Sequence, residues 1–235
     1  MSGSLRVDRP QSPAGMVAIP IRTPLVHPGD DLVAVVESAV AGIAQAGDVL
    51  AISETALAIA QRQAVRAEYV RPSRLALLLS RHAGAMATVS QPESLQIVID
   101  SVGAPRVVYA AIMQVLGRLA GKRGMFYEIM GGAIAAIDGY TGTMAPFERM
   151  IVFAPQNADA FAQSVFERMG IACAIVDAND LQIAKVLGAS AGVNREGVAD
   201  ALLSNPHGNG DEQTPIVVLK WRGSGANPLM VGINQ

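Results

Sequence analysis

Short, unbroken apolar runs constrain this chain more than any other feature. Val49-Leu-Ala-Ile-Ser53 and Ile171-Ala-Cys-Ala-Ile-Val176 have the length and continuity of buried strands. Pro215 to Trp221 closes the chain as another strand, and Met150 to Ala154 is a further short apolar run. Between them lie stretches with helical spacing. Leu32, Val35, Val36, Ala39, Val40 and Ile43 place a helix over Asp30 to Gln45, after the Pro28-Gly29 break and with Asp30 able to cap it. Similar spacing predicts helices over 73–82, 92–102, 106–119, 157–169, 180–187 and 195–203. Met125 to Met130 and Ala133 to Ile137 read as strands around Gly131-Gly132.

This pattern implies an α/β to α+β fold, a mixed sheet with flanking helices. Met150 to Val176 reads as a strand-helix-strand crossover. The first half is rich in helices and the second alternates. Two interlocked subdomains are expected within 16–235, with a soft boundary near 121–124. Residues 1–15 are polar, carry Pro10 and Pro13, and read as a flexible tail without a signal-peptide core.

Hydrophobic residues make up 51% of the chain and aromatic ones only 4%, so the core must be built from aliphatic side chains. A net charge of −2 gives no electrostatic footprint for nucleic acid. No stretch has the apolar length of a membrane span. Cys173 is the single cysteine, sits in an apolar run and reads as a buried small hydrophobe. A chain without an intrachain disulfide fits a reducing compartment, and a cytoplasmic location is expected.

The residues able to carry chemistry cluster at the ends of the apolar runs. Asp177-Ala-Asn-Asp180 follows the run that ends at Val176. Ligands gather at the carboxyl ends of parallel strands. Carboxylate and amide oxygens there suit a hard cation carrying phosphate oxygens. Asn179 or Asp180 could equally cap the next helix. Asp138 follows Ala133 to Ile137 and precedes Gly139, so it reads either as a ligand-facing carboxylate or as a turn residue. The polar loop from Asn205 to Thr214 holds His207, Asp211 and Glu212 among glycines that permit close approach. This loop reaches the ligand side if the last strand runs antiparallel to the strand leading to Asp177, which is the expected arrangement. No Walker loop, dinucleotide fingerprint, serine elbow or zinc spacing occurs.

Several segments, taken in order, resemble the coenzyme F420-0:L-glutamate ligase (gamma-glutamyl ligase) family. They are Ile19-Pro-Ile-Arg-Thr-Pro-Leu25, Pro28-Gly-Asp-Asp-Leu32, Gly47 to Ser53, Arg123-Gly-Met-Phe126, Ala136-Ile-Asp138, Ala174-Ile-Val-Asp177 and Thr214 to Leu219. The resemblance runs from about Ile19 to Leu219 and implies a gamma-glutamyl ligase-like fold. It implies a metal- and GTP-dependent ligase, using Mg²⁺ or Mn²⁺, that joins L-glutamate to a phosphorylated deazaflavin-like acceptor through a γ-linked amide. It implies that Asp138 and Asp177 bind metal, with Asn179 and Asp180 beside them. Ser53, Thr55, Arg62, Asp211 and Glu212 are the residues expected to face nucleotide or substrate, with Asp211 or Glu212, in the polar loop, able to bind an amine or a second metal. A homodimer acting on a small molecule, without nucleic acid or membrane, goes with it. Chemically, a carboxylate must become an acyl phosphate before an amine can attack, and cations neutralise the phosphates in that step.

The chain departs from the family pattern at three places. A Lys-rich stretch ending in Glu-Gly-Arg is replaced by Thr55-Ala-Leu-Ala-Ile-Ala-Gln-Arg-Gln63, where Arg62 is the candidate for the shifted arginine. A Ser-Asn pair after the first metal carboxylate is replaced by Gly139-Tyr140, and the residues after the second are Ala178, Asn179 and Asp180. Loss of cations weakens a polyphosphate pocket. Two other readings follow: a noncatalytic relative binding a nucleotide, metal or small acid, and a ligase for another substrate.

Overall fold

The computed structural model describes residues 15–83, 88–135, 137–139, 147–179, 182–208 and 212–231. The chain forms two units. The first joins Met1–Arg62 to Pro155–Gln235, and the second, Gln63–Ala154, is inserted between these two pieces of the chain. The first unit begins with β1 (Met16–Ile21), α1 (Leu32–Val40), β2 (Val49–Ser53) and α2 (Glu54–Ala60). The second contains β3 (Ala64–Arg66), α3 (Arg74–Ser80), α4 (Pro92–Val102), α5 (Ala104–Leu119), α6 (Met125–Met130), α7 (Gly132–Ala135), β4 (Ile137–Asp138) and β5 (Met150–Phe153). The first then resumes with α8 (Ala158–Met169), β6 (Ala172–Asn179), β7 (Ile183–Ala189), α9 (Arg195–Ala201) and β8 (Ile216–Trp221).

In the first unit the described strands form a mixed five-stranded sheet in the order β1-β8-β2-β6-β7. β2 and β6 are parallel, and the other neighbours are antiparallel. The continuous apolar runs occupy β8, β2 and β6, the three inner positions, where both faces of a strand are covered. Val49, Ala51, Ala172, Ala174, Val176, Val217 and Leu219 build one core with Val198 and Ala201 of α9. The alternate residues Leu50, Ile52, Cys173, Ile175, Ile216 and Val218 are equally buried, as period-two alternation requires of a two-sided sheet. Burial raises the Cys173 thiol far above its ordinary pKa, so it packs as a hydrophobe.

On this second face, Gly188 of β7 lies opposite Ile175 and beneath the first turn of α8. A Cβ at Gly188 would stand 2.3 Å from the carbonyl carbon of Ala158 and 2.5 Å from the nitrogen of Asp159. Asp159 fastens the helix there by accepting from the Ala189 amide at 2.9 Å and from Arg195. The edges of the sheet carry residues that discourage further pairing, Pro20 in β1 and Lys185 in β7.

The second unit has an aliphatic core of its own, with Leu95, Val98 and Ile99 of α4, Val107 and Ala110 of α5, Met130 of α6 and Ile151 of β5. Its described strands pair in the order β3-β5-β4, all antiparallel. The soft boundary expected near 121–124 lies inside this unit, in the turn between α5 and α6. The tail expected over 1–15 lies outside the described residues except for Gly15.

Three expectations are corrected. Met125–Met130 is a helix, as is Gly132–Ala135. The aromatic and branched residues of α6 suit a strand locally, but Phe126, Ile129 and Met130 share one helical face on the core, and packing overrides propensity. The predicted helix over 180–187 is instead β7 from Ile183, which covers the edge of β6. The predicted crossover from Met150 to Val176 does not form within one sheet, because β5 pairs in the second unit and β6 in the first.

Candidate active site

Ser53 pairs with Val176 in the last β2–β6 register position, so β6 outruns β2 by Asp177, Ala178 and Asn179. Where β2 stops, the chain turns directly into α2. A polar cleft of about 140 Å³ opens at this step. Ser53, Glu54 and Thr55 line it from the β2–α2 junction, Val176 to Ala178 from β6, and His207 and Gly208 from the loop before β8. The extra residue on β7, Leu187, makes a bulge opposite Ile175 and Val176, immediately before Asp177. Such bulges add local twist and re-aim side chains.

β8 runs antiparallel to β2, as expected, so the loop entering it arrives at the carboxyl end of β2 and β6. Hydrogen bonds fix that loop tightly. The Ser53 amide donates to the Pro215 carbonyl at 2.8 Å, and the Thr23 amide to the Gln213 carbonyl at 3.0 Å. His207 Nδ1 donates to the Thr214 carbonyl at 3.0 Å, and Thr214 Oγ1 donates to the His207 carbonyl at 2.5 Å. A carbonyl only accepts, so the imidazole carries its hydrogen on Nδ1 and presents a lone pair at Nε2. That Nε2 atom is closed off from solvent and has no hydrogen-bond partner among the described residues. Burial lowers the His207 pKa to about 4, against the bond to Thr214, which raises it. The ring is neutral at physiological pH.

Asp177 is half-buried, and burial pushes its carboxyl above the ordinary range. Lys185, its cross-strand partner on β7, pulls it partly back. Ser53 stands at the N-cap of α2 but makes no side-chain capping bond.

The structure brings together Ser53, Thr55 and Asp177 of the residues expected from sequence. Asn179 ends β6, where its Oδ1 accepts from the Ile183 amide at 3.4 Å in the turn to β7, so it caps no helix. Arg62 adopts a left-handed conformation, and its guanidinium lies against Gly29, where a Cβ would meet it at 2.7 Å. The Glu212 carboxylate lies against Gly208, within 2.9 Å of where a Cβ would stand. Asp138 is a backbone position on β4 in the second unit, opposite Val152. Asp180 and Asp211 lie outside the described residues. Sequence reading placed His207 in the loop but gave it no role. Its signal is a pairing with a backbone carbonyl seven residues on, which side-chain identity does not reveal.

Among the described residues, no three of His, Cys, Asp and Glu stand together as a metal cage. Asp177 lines the cleft with the hydroxyl-bearing residues Ser53 and Thr55, oxygen donors of the kind that a hard cation takes together with substrate oxygens and water. No single helix among the described residues is long and apolar enough to cross a membrane.

A mixed five-stranded sheet with flanking helices, its parallel pair ending in a polar cleft, defines an α+β class of fold. The family model for F420-0:Gamma-glutamyl ligase matches residues 20–176, more than half of the chain, and the protein belongs to that family. The match ends one residue before Asp177. No curated protein matches the chain.

Proposed function

We propose that this protein is a metal- and nucleotide-dependent amide ligase that adds L-glutamate, with GTP as cosubstrate, to a phosphorylated deazaflavin-like acceptor. The observation that carries this reading is the meeting of Ser53, Thr55 and Asp177 at the carboxyl end of the β2–β6 pair. In this reading Asp177 holds a Mg²⁺ or Mn²⁺ ion, which supplies charge neutralisation to the phosphates. The Ser53 and Thr55 hydroxyls orient phosphate or carboxylate oxygens. The acceptor carboxylate takes a phosphoryl group, and the glutamate amine then displaces phosphate to form the amide. Asp138 keeps the role that the resemblance gives it, and Asp138→Asn tests that role on its own.

A second reading is favoured by α2. Where family members carry lysines, Ala56 to Ala60 are all buried, so this helix can bring no cation to a polyphosphate. A noncatalytic relative, or a ligase for a less charged substrate, follows from that. Thermal-shift measurements with GTP, ATP and GDP, each with and without Mg²⁺ or Mn²⁺, separate the readings. The ligase predicts stabilisation only by nucleotide and metal together, followed by phosphate release when acceptor and glutamate are added. Metal-independent stabilisation by GTP, or binding without turnover, defeats it.

We also propose that the protein works as a homodimer. Tyr109, Ile112, Val115, Leu116 and Leu119 of α5 are 51–82% exposed along one helix. An apolar face of this extent marks an interaction surface, and a second copy is its proposed occupant.

A further inference from the structure

We propose that Lys185 is a phosphate-binding residue of the cleft, its ammonium group supplying the positive charge that α2 does not bring. The inference rests on reading the cleft at Asp177 as the place where phosphate groups bind. The charges around the cleft lead to it first. Of the described residues that line it, Glu54 and Asp177 are acidic, Ser53 and Thr55 carry hydroxyls, His207 is neutral, and none is a lysine or an arginine. A polyphosphate brought to this surface meets like charge. A divalent ion offsets part of that repulsion, and phosphoryl-transfer sites commonly add a protein cation to the metal.

The register of the sheet supplies such a cation. Lys185 stands directly opposite Asp177, on β7. Opposed residues of an antiparallel pair project from the same face, with Cβ atoms about 4.5–5.5 Å apart. β7 is an edge strand of the five-stranded sheet, and Lys185 is exposed on it. Its charge is felt by Asp177, yet among the described residues it enters no direct ion pair. The ammonium is therefore near the carboxylate without being consumed by it. Lys185 also lies outside residues 20–176, the stretch that matches the family model. In this arrangement Asp177 holds the cation that accompanies the phosphates. Lys185 takes phosphate oxygens as a compact point charge on a flexible stem.

A lysine that only offsets the charge of Asp177 predicts the opposite sign. Removing it would take a positive charge away from a cation site and leave metal-phosphate binding equal or tighter. The test is calorimetry near pH 8 on the full chain, with Mg²⁺ and either inorganic tripolyphosphate or phenyl phosphate. Tripolyphosphate stands for a nucleotide as the source of the phosphate, and phenyl phosphate for a phosphorylated acceptor. Lys185→Met should bind one or both about tenfold more weakly, with circular dichroism and melting temperature unchanged. The probe that loses affinity identifies the source. Lys185→Arg, which keeps the charge, should retain most of the binding. A Lys185→Arg variant as weak as Lys185→Met overturns the inference, since charge is then not what the position supplies. Equal or tighter binding by Lys185→Met, with binding lost in Asp177→Asn, overturns it and leaves the cation site standing. Binding that survives both substitutions, or a wild type that binds neither probe, overturns both.

Discussion

His207 and Thr214 exchange two hydrogen bonds, one through the ring Nδ1 at 3.0 Å and one through the Thr214 hydroxyl at 2.5 Å. The folded ring resists protonation down to about pH 4, whereas an unfolded histidine titrates near its model value of 6.5. The unfolded state therefore binds the proton first as pH falls. Stability from this group is full above the unfolded value and is lost progressively toward the folded one. The gap corresponds to roughly 3 kcal/mol. Urea unfolding in EDTA at pH 7.5 and pH 4.5 should show a larger loss for wild type than for His207→Asn. Equal losses would show that the ring is not protected.

Asp177 is held as a carboxylate against a burial cost, offset in part by Lys185. A raised folded pKa means that its contribution is most favourable at low pH and worsens as pH rises through the unfolded value toward the folded one. Asp177→Asn should leave the metal-free protein at least as stable as wild type at neutral pH while removing metal-dependent ligand stabilisation. Lys185→Met should push the Asp177 carboxyl further up, which a carbonyl-resolved NMR titration would detect. A clear fall in the melting temperature of metal-free Asp177→Asn would mark Asp177 as a structural residue.

Gly188 lets the backbone of α8 rest on β7, with Ala158 and Asp159 inside the space a side chain would need. Because the obstructing atoms include backbone, the clash cannot be relieved by a rotamer change. Gly188→Ala should cost about 1–3 kcal/mol through overpacking. A denaturant midpoint equal to wild type would contradict this contact.

The α5 face supplies a direct test of assembly. Ile112→Glu and Leu119→Glu place charge on residues that are 54% and 82% exposed, so the isolated chain should tolerate them. Sedimentation velocity should find a dimer for wild type and a monomer for the pair of substitutions, with unchanged circular dichroism. A wild-type monomer at micromolar concentration would refute the homodimer.

The inner sheet was legible because its strands are continuous apolar runs. Val49 to Ser53 matches β2 residue for residue, and Ala172 to Val176 lie in β6. That Asp177, Ser53 and Thr55 would lie near one another was legible because they stand where those runs end. What escaped depends on partners distant in sequence. Ile183 to Ala189 is a strand because β6 offers it an edge, and Met125 to Met130 is a helix because its apolar face meets α5 and joins the second unit's core. His207 belongs with these: its fixed tautomer and lowered pKa come from Thr214 and from enclosure, neither of which is written in the residue itself.

The parallel pairing of Val49 with Ala172 joins positions 123 residues apart. During synthesis β2 leaves the ribosome long before β6 exists, and the whole of Gln63–Ala154 emerges in between. The inserted unit has its own core and can collapse while β2 waits without its central neighbour. Closure of the five-stranded sheet is thereby postponed until the last third of the chain is available, and β8 must then slide between β1 and β2 from the far end of the sequence. Contacts of such long range make for slow folding and a prolonged exposure of apolar edge. The cleft at Asp177, lined from β2, β6 and the loop before β8, therefore needs segments far apart in the sequence to have met before it can exist.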